Sequence, residues 1–124
     1  MMARILVVED DDSVRHFTAR ALAAAGHDVE TAADGDEGLA RIERSGAGHD
    51  LIVSDIRMPV MDGIEMAQRA ASSHPGIKIL LMTGYAEQRE RAAELAGTVI
   101  DVVQKPFSLA EIRESVNTAL SKAA

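Results

Sequence analysis

The chain contains no cysteine and no tryptophan, and only one tyrosine and two phenylalanines among its 124 residues. Without thiols there are no disulfides and no thiolate metal centres. With aromatics at 2% there is no platform for stacking bases, and a net charge of −7 repels phosphate backbones, so direct nucleic-acid binding by this chain is disfavoured. No stretch reaches the roughly 18 apolar residues of a membrane span, and the N-terminus lacks the basic-then-apolar order of a secretory signal. The cytoplasm is the default location. A chain of this length makes one packed core, so residues 1–124 are expected to form a single domain with an interior of Val, Ile, Leu, Met and Ala.

What is present is a repeated change of hydrophobic period. Ile5-Leu6-Val7-Val8, Leu51-Ile52-Val53 and Ile77 to Met82 are short apolar runs, the pattern of strands covered on both faces. Val29 to Ala32 alternates and reads as an edge strand, and Val99 to Val103, interrupted by Asp101, reads as the last strand. Between them lie helical spacings. Val14, Phe17, Ala21, Leu22 and Ala25 share one face before Gly26. Asp34 with Glu37 caps a helix carrying Leu39 and Ile42 to Ser45-Gly46. Asp62 with Glu65 caps another carrying Ile64, Ala67 and Ala71, broken at His74-Pro75-Gly76. Tyr85 to Leu95 is charged and Ala-rich. Ser108 with Glu111 makes a capping box for a helix with Leu109, Ile112, Val116 and Leu120 inward. Five strands alternating with five helices imply an α/β fold: a five-stranded parallel sheet, helices on both faces and right-handed crossovers.

In such a sheet, function gathers at the strands' carboxyl ends where strand order reverses, which for the order 2-1-3-4-5 lies between the first and third strands. Those strands run roughly 4.8 Å apart. The first ends in Glu9 and Asp10, and the third in Asp55, just before Pro59 stops regular pairing. Two like unit charges 4 Å apart repel by about 4 kcal/mol at an effective dielectric of 20. Such a site needs a cation or shifted pKa values, and an oxygen-only ligand set suits Mg²⁺. The fourth strand adds the Thr83 hydroxyl before Gly84, and the fifth adds the Lys105 ammonium before Pro106. Acids, metal, hydroxyl and ammonium around one point suit a phosphoryl group, with Asp55 the acid placed to attack phosphorus.

With these motifs assembled, Ile5-Leu6-Val7-Val8-Glu9-Asp10, Ser54-Asp55-Ile56-Arg57-Met58-Pro59, Met61-Asp62-Gly63, Leu81-Met82-Thr83-Gly84 and Lys105-Pro106-Phe107 resemble, in order and spacing, the response-regulator receiver domain (CheY-like). The resemblance implies a two-component or phosphorelay switch, not an enzyme acting on outside substrates. Asp55 would take a phosphoryl group from a histidine kinase or histidine phosphotransfer protein. Asp10, Asp55 and the backbone carbonyl of Arg57 would bind Mg²⁺, with Glu9 acting through water. Thr83 and Lys105 would contact phosphoryl oxygens, and the bond before Pro106 would be cis. Within the family, Asp10-Asp11-Asp12, Lys105-Pro106-Phe107-Ser108-Leu109 and the Ala123-Ala124 ending look similar to stand-alone CpdR-type regulators, which gate ClpXP proteolysis. The output is then contact with another protein, such as a ClpXP-type protease or adaptor, through the fourth helix, fifth strand and fifth helix. Ala123-Ala124 could also serve as a protease tag.

Two positions depart from the family. Glu9 stands where Asp is commoner, and Val102 stands where the family carries a switching aromatic, a role that Tyr85 is expected to share. Other functions fit less well. A flavodoxin-like redox protein needs a phosphate-binding first loop, and Glu9-Asp10-Asp11-Asp12 repels phosphate. An aspartyl-phosphate phosphohydrolase needs a second acid two residues after its nucleophile, where Arg57 stands. A constitutive receiver-like binding module has no use for Asp55, Thr83 and Lys105 together. Asp11, Asp12, Asp34 and Asp62 read as helix caps. His16, His27, His49 and His74 lack i, i+4 metal spacing and read as surface residues, and Met58 and Met61 as loop packing.

Overall fold

A computed structural model of the chain describes residues 2–46, 48–84 and 99–122. Each apolar run is a strand: β1 (Arg4–Val8), β2 (Asp28–Ala32), β3 (Leu51–Asp55), β4 (Ile79–Thr83) and β5 (Val99–Gln104). They pair in parallel in the order β2-β1-β3-β4-β5. Helices α1 (Asp12–Ala24), α2 (Gly35–Ser45), α3 (Gly63–Ser73) and α4 (Leu109–Ser121) are described. The helix expected over Tyr85 to Leu95 lies outside the described residues. No helix among those described is long and apolar enough to cross a membrane.

Alternation along the central strands divides the core in two. Ile5, Val7, Leu51, Val53, Leu80 and Met82 pack with Leu22, Ile112 and Val116 of α1 and α4. Leu6, Val8, Ile52, Ile79 and Leu81 pack with Ile42, Ile64, Met66 and Ala67 of α2 and α3. A sheet buried on both faces explains why these strands read as unbroken apolar runs.

The caps form where the spacing places them. Asp11, Asp34, Asp62 and Ser108 each accept a hydrogen bond from the backbone N–H three residues on, and Glu111 completes the capping box by accepting from Ser108 N–H. Gly46 ends α2 at φ 62°, the left-handed position that favours glycine. Asp12 is not a cap; it lies in the first turn of α1 and pairs with Arg15.

Three further expectations need correction. The inner face of α1 is Thr18, Ala21 and Leu22, whereas Ala25 and Phe17 are exposed, the Phe17 ring lying 6.3 Å from that of Phe107. Leu109 is likewise exposed on α4. His27 and His49 are buried, not superficial. His27 Nδ1 accepts from Ala3 N–H at 3.1 Å, tying the chain's start to β2, and burial lowers its pKa. His49 fills the space between Ser45 Oγ, 3.3 Å away, and Glu30, 3.5 Å away.

Candidate functional site

The site grows from backbone register. Val8 pairs with Ser54 across β1 and β3, so the chain beyond Val8 and the end of β3 emerge side by side. Asp55 in turn registers with Met82, so Thr83 stands one residue further along on the other side. A carboxylate oxygen from each of Glu9, Asp10 and Asp55 lies within 4.8 Å of the other two. Glu9 and Asp55 are buried, while Asp10 is exposed and opens the cluster to solvent. The lysine after β5 closes the group: Lys105 Nζ is 2.5 Å from Glu9 Oε1 and 3.1 Å from Asp55 Oδ1. Lys105 N–H donates to the Thr83 carbonyl at 2.7 Å, and the peptide between Lys105 and Pro106 is cis.

Removing carboxylates from water disfavours their charge. Burial pushes Glu9 up to about 7; the Lys105 hydrogen bond opposes that rise and the Asp55 charge reinforces it. Burial acts to lower Lys105, but its contacts with Glu9 and Asp55 outweigh that and raise it. The ammonium therefore remains charged between two acids at neutral pH.

The loop after Asp55 returns to its own start. Gly63 N–H donates to the Ile56 carbonyl at 2.8 Å, and a side chain at Gly63 would begin 2.2 Å from the Asp55 carbonyl oxygen. Met58 and Met61 pack beneath this loop, whereas Val60 at its tip is 93% exposed with φ 69°. Arg57 is exposed two residues past Asp55. Val102 packs against the α2–α3 side of the core, so no aromatic ring stands there. Tyr85, expected to share that role, and the Ala123-Ala124 ending lie outside the described residues.

Thus Glu9, Asp10, Asp55 and Lys105 converge as their places at the strand ends predict, with Thr83 beside them. Two contributors were missed. Arg15 donates to the Glu9 carbonyl at 2.9 Å and to Asp12 at 2.5 Å; its spacing three residues after Asp12 was the available signal. Gly63 entered only as part of the Met61-Asp62-Gly63 motif, since a close backbone approach leaves no mark in sequence.

Three carboxylates from adjoining strands with no nitrogen or sulfur donor among them form a hard-cation donor set, and the exposed Asp10 provides the way in. Residues 5–117 match the family model of the response regulator receiver domain, and the chain belongs to that family.

Its relatives are found in several contexts. It is 38% identical over 120 residues to the sensor kinase CckA of Brucella abortus, covering 97% of this chain but 13% of the kinase. It is 35% identical over 119 residues to the response regulator receiver protein CpdR of Brucella abortus, covering 96% of this chain and 98% of CpdR. Against the transcriptional regulatory protein TcrA of Mycobacterium tuberculosis it spans 42% of the relative's length. The crystal structure of chemotaxis response regulator CheY4 of Vibrio cholerae superposes with a TM-score of 0.86 at 32% identity, covering 96% of this chain and 99% of that one.

Proposed function

We propose that Asp55 accepts a phosphoryl group from the phosphohistidine of a histidine kinase or histidine phosphotransfer protein, and that residues 1–124 work as a single-domain response regulator. The supporting observation is the buried Asp55 at the end of β3, held beside Glu9, Asp10 and Lys105. A carboxylate oxygen of Asp55 forms a bond to phosphorus as the phosphorus–nitrogen bond of the donor breaks, and the freed imidazole takes a proton from solvent. Asp10, Asp55 and the backbone carbonyl of Arg57 would hold Mg²⁺, with Glu9 acting through water. When bound, that ion neutralises charge on the phosphoryl oxygens.

Lys105 already spans Glu9 and Asp55, so a short movement carries its ammonium to a phosphoryl oxygen on Asp55. The Thr83 hydroxyl donates to another. The phosphoryl group adds about −1.5 to −2 charge, which draws these two residues inward and shifts the surface of β5 and α4 between two states. The chemistry ends on the chain itself, in self-phosphorylation and autodephosphorylation, so the protein is a switch and not an enzyme for outside substrates. Its place of action is the cytoplasm. The similarity to CpdR over nearly its whole length supports a stand-alone role, with a ClpXP-type protease or adaptor as the output partner. Incubation with labelled acetyl phosphate and Mg²⁺ tests the proposal. Label is expected on the wild type, and none after Asp55→Asn or with EDTA; label on Asp55→Asn refutes the assignment.

A further inference from the structure

Asp10 differs from its two neighbours in the acid cluster. Glu9 and Asp55 are buried and share Lys105, whereas Asp10 is exposed and its carboxylate has no hydrogen bond or ion pair among the described residues. No side-chain contact among the described residues orients it, so the positions it can reach are set by its backbone. The two peptide units that flank its Cα are each pinned from outside. On one side, Arg15 Nη1 donates to the Glu9 carbonyl at 2.9 Å. On the other, Asp11 N–H donates to Glu9 Oε2 at 3.2 Å. Arg15 is itself fixed, since its other guanidinium nitrogen meets Asp12 Oδ1 at 2.5 Å and its side chain is largely covered.

We propose that Arg15 is a positioning residue for the cation site: by clamping the Glu9 carbonyl it aims the Asp10 carboxylate at the Mg²⁺ position. The inference rests on the reading that Asp10 and Asp55 bind Mg²⁺. It carries a sign that distinguishes it from a simple electrostatic role. A positive charge beside an acid cluster repels a cation, so if charge alone mattered, removing Arg15 would strengthen Mg²⁺ binding and removing Asp12 would weaken it. If position matters, the order reverses.

Calorimetric titration with Mg²⁺ alone, with no phosphodonor, reads the difference. Arg15→Ala is expected to raise the dissociation constant about tenfold, the low end of the loss seen when a group supporting a metal ligand is removed. Arg15→Lys keeps the charge but cannot span both the Glu9 carbonyl and Asp12, so it is expected to weaken binding as well; it carries the test if Arg15→Ala fails to fold. Asp12→Ala removes one of the two things that hold Arg15, its largely covered side chain being the other, and is expected to weaken binding by less than Arg15→Ala does. Thermal melts in EDTA separate lost affinity from lost folding. Unchanged or tighter binding in Arg15→Ala and Arg15→Lys overturns the proposal. Failure of the wild type to bind Mg²⁺ defeats the metal reading itself, a different result from wild-type binding that the Arg15 variants retain.

Discussion

Gly63→Ala asks whether the acceptor's position depends on the loop that follows it. By helix propensity alone, Ala in the first turn of α3 is better than Gly by about 0.5–1 kcal/mol. Space decides otherwise. The added Cβ would lie 2.2 Å from the Asp55 carbonyl oxygen, 3.0 Å from the Asp55 carbonyl carbon and 3.1 Å from the Ile56 Cα. All three are backbone atoms of the acceptor's own strand end, so no side chain can rotate aside, and either β3 or α3 must move by about 1 Å. Overpacking costs about 1–3 kcal/mol; taking the upper half of that range against the propensity gain leaves a net loss of about 2 kcal/mol. Urea unfolding measures that loss directly. A shift of about 1 Å at a reacting group can cost about a hundredfold in rate, so labelling of Asp55 by acetyl phosphate should fall steeply in the folded fraction. Gly38→Ala is the comparison: its Cβ meets both methyls of the stiff, buried Val8 side chain at 2.9 and 3.1 Å and Met66 Sδ at 3.0 Å, so it too should lose stability, but it touches no backbone of the acceptor loop and labelling of the folded fraction should stay near wild type. If Gly63→Ala is as stable as the wild type and labelled as fast, the coupling between Gly63 and Asp55 is wrong.

Other perturbations test separate parts of the account. Val60→Gly should stabilise the fold by about 1 kcal/mol, because a β-branched residue at φ 69° is strained and its 93% exposed side chain loses no packing; a lower urea midpoint contradicts this. Burial lowers the pKa of His27, so the unfolded chain binds that proton first: the stability tied to neutral His27 is present above about pH 6.5 and is lost as pH falls below it. Unfolding at several pH values should show a shallower acid loss in His27→Gln, and equal slopes would refute the assignment. With Glu9 held up at about 7, cation binding slightly below that pH must displace a proton. Mg²⁺ affinity should therefore fall as pH drops from about 7 to 6, with a binding enthalpy that depends on the buffer; the same enthalpy in phosphate-free buffers of different ionisation heat would exclude it.

Most of the architecture was legible because two periodicities carry it. Strands buried on both faces appear as continuous apolar runs, and helix caps leave the three-residue spacing seen at Asp34, Asp62 and Ser108. Glu9, Asp10 and Asp55 were legible because strand ends in a parallel sheet share one edge. What failed depended on contacts without a local signature. Phe17 fell on the same helical face as Val14, Ala21 and Leu22, yet Thr18 occupies the inner face and Phe17 lies against Phe107. His27 and His49 looked superficial because a single polar residue beside a strand does not reveal that Ala3 N–H or Glu30 waits opposite. The sequence put Lys105 and Glu9, 96 positions apart, at one edge of the sheet, but that they pair directly is seen only in the assembled fold.

The most direct measurement is the chemical location of the phosphoryl group. Wild-type protein treated with Mg²⁺ and acetyl phosphate, then with borohydride, converts an acyl phosphate to the corresponding alcohol, and peptide mapping finds the altered residue. The account predicts homoserine at position 55 only, dependent on Mg²⁺. Reduction at another carboxylate, or an unaltered Asp55 in protein that binds Mg²⁺, contradicts it.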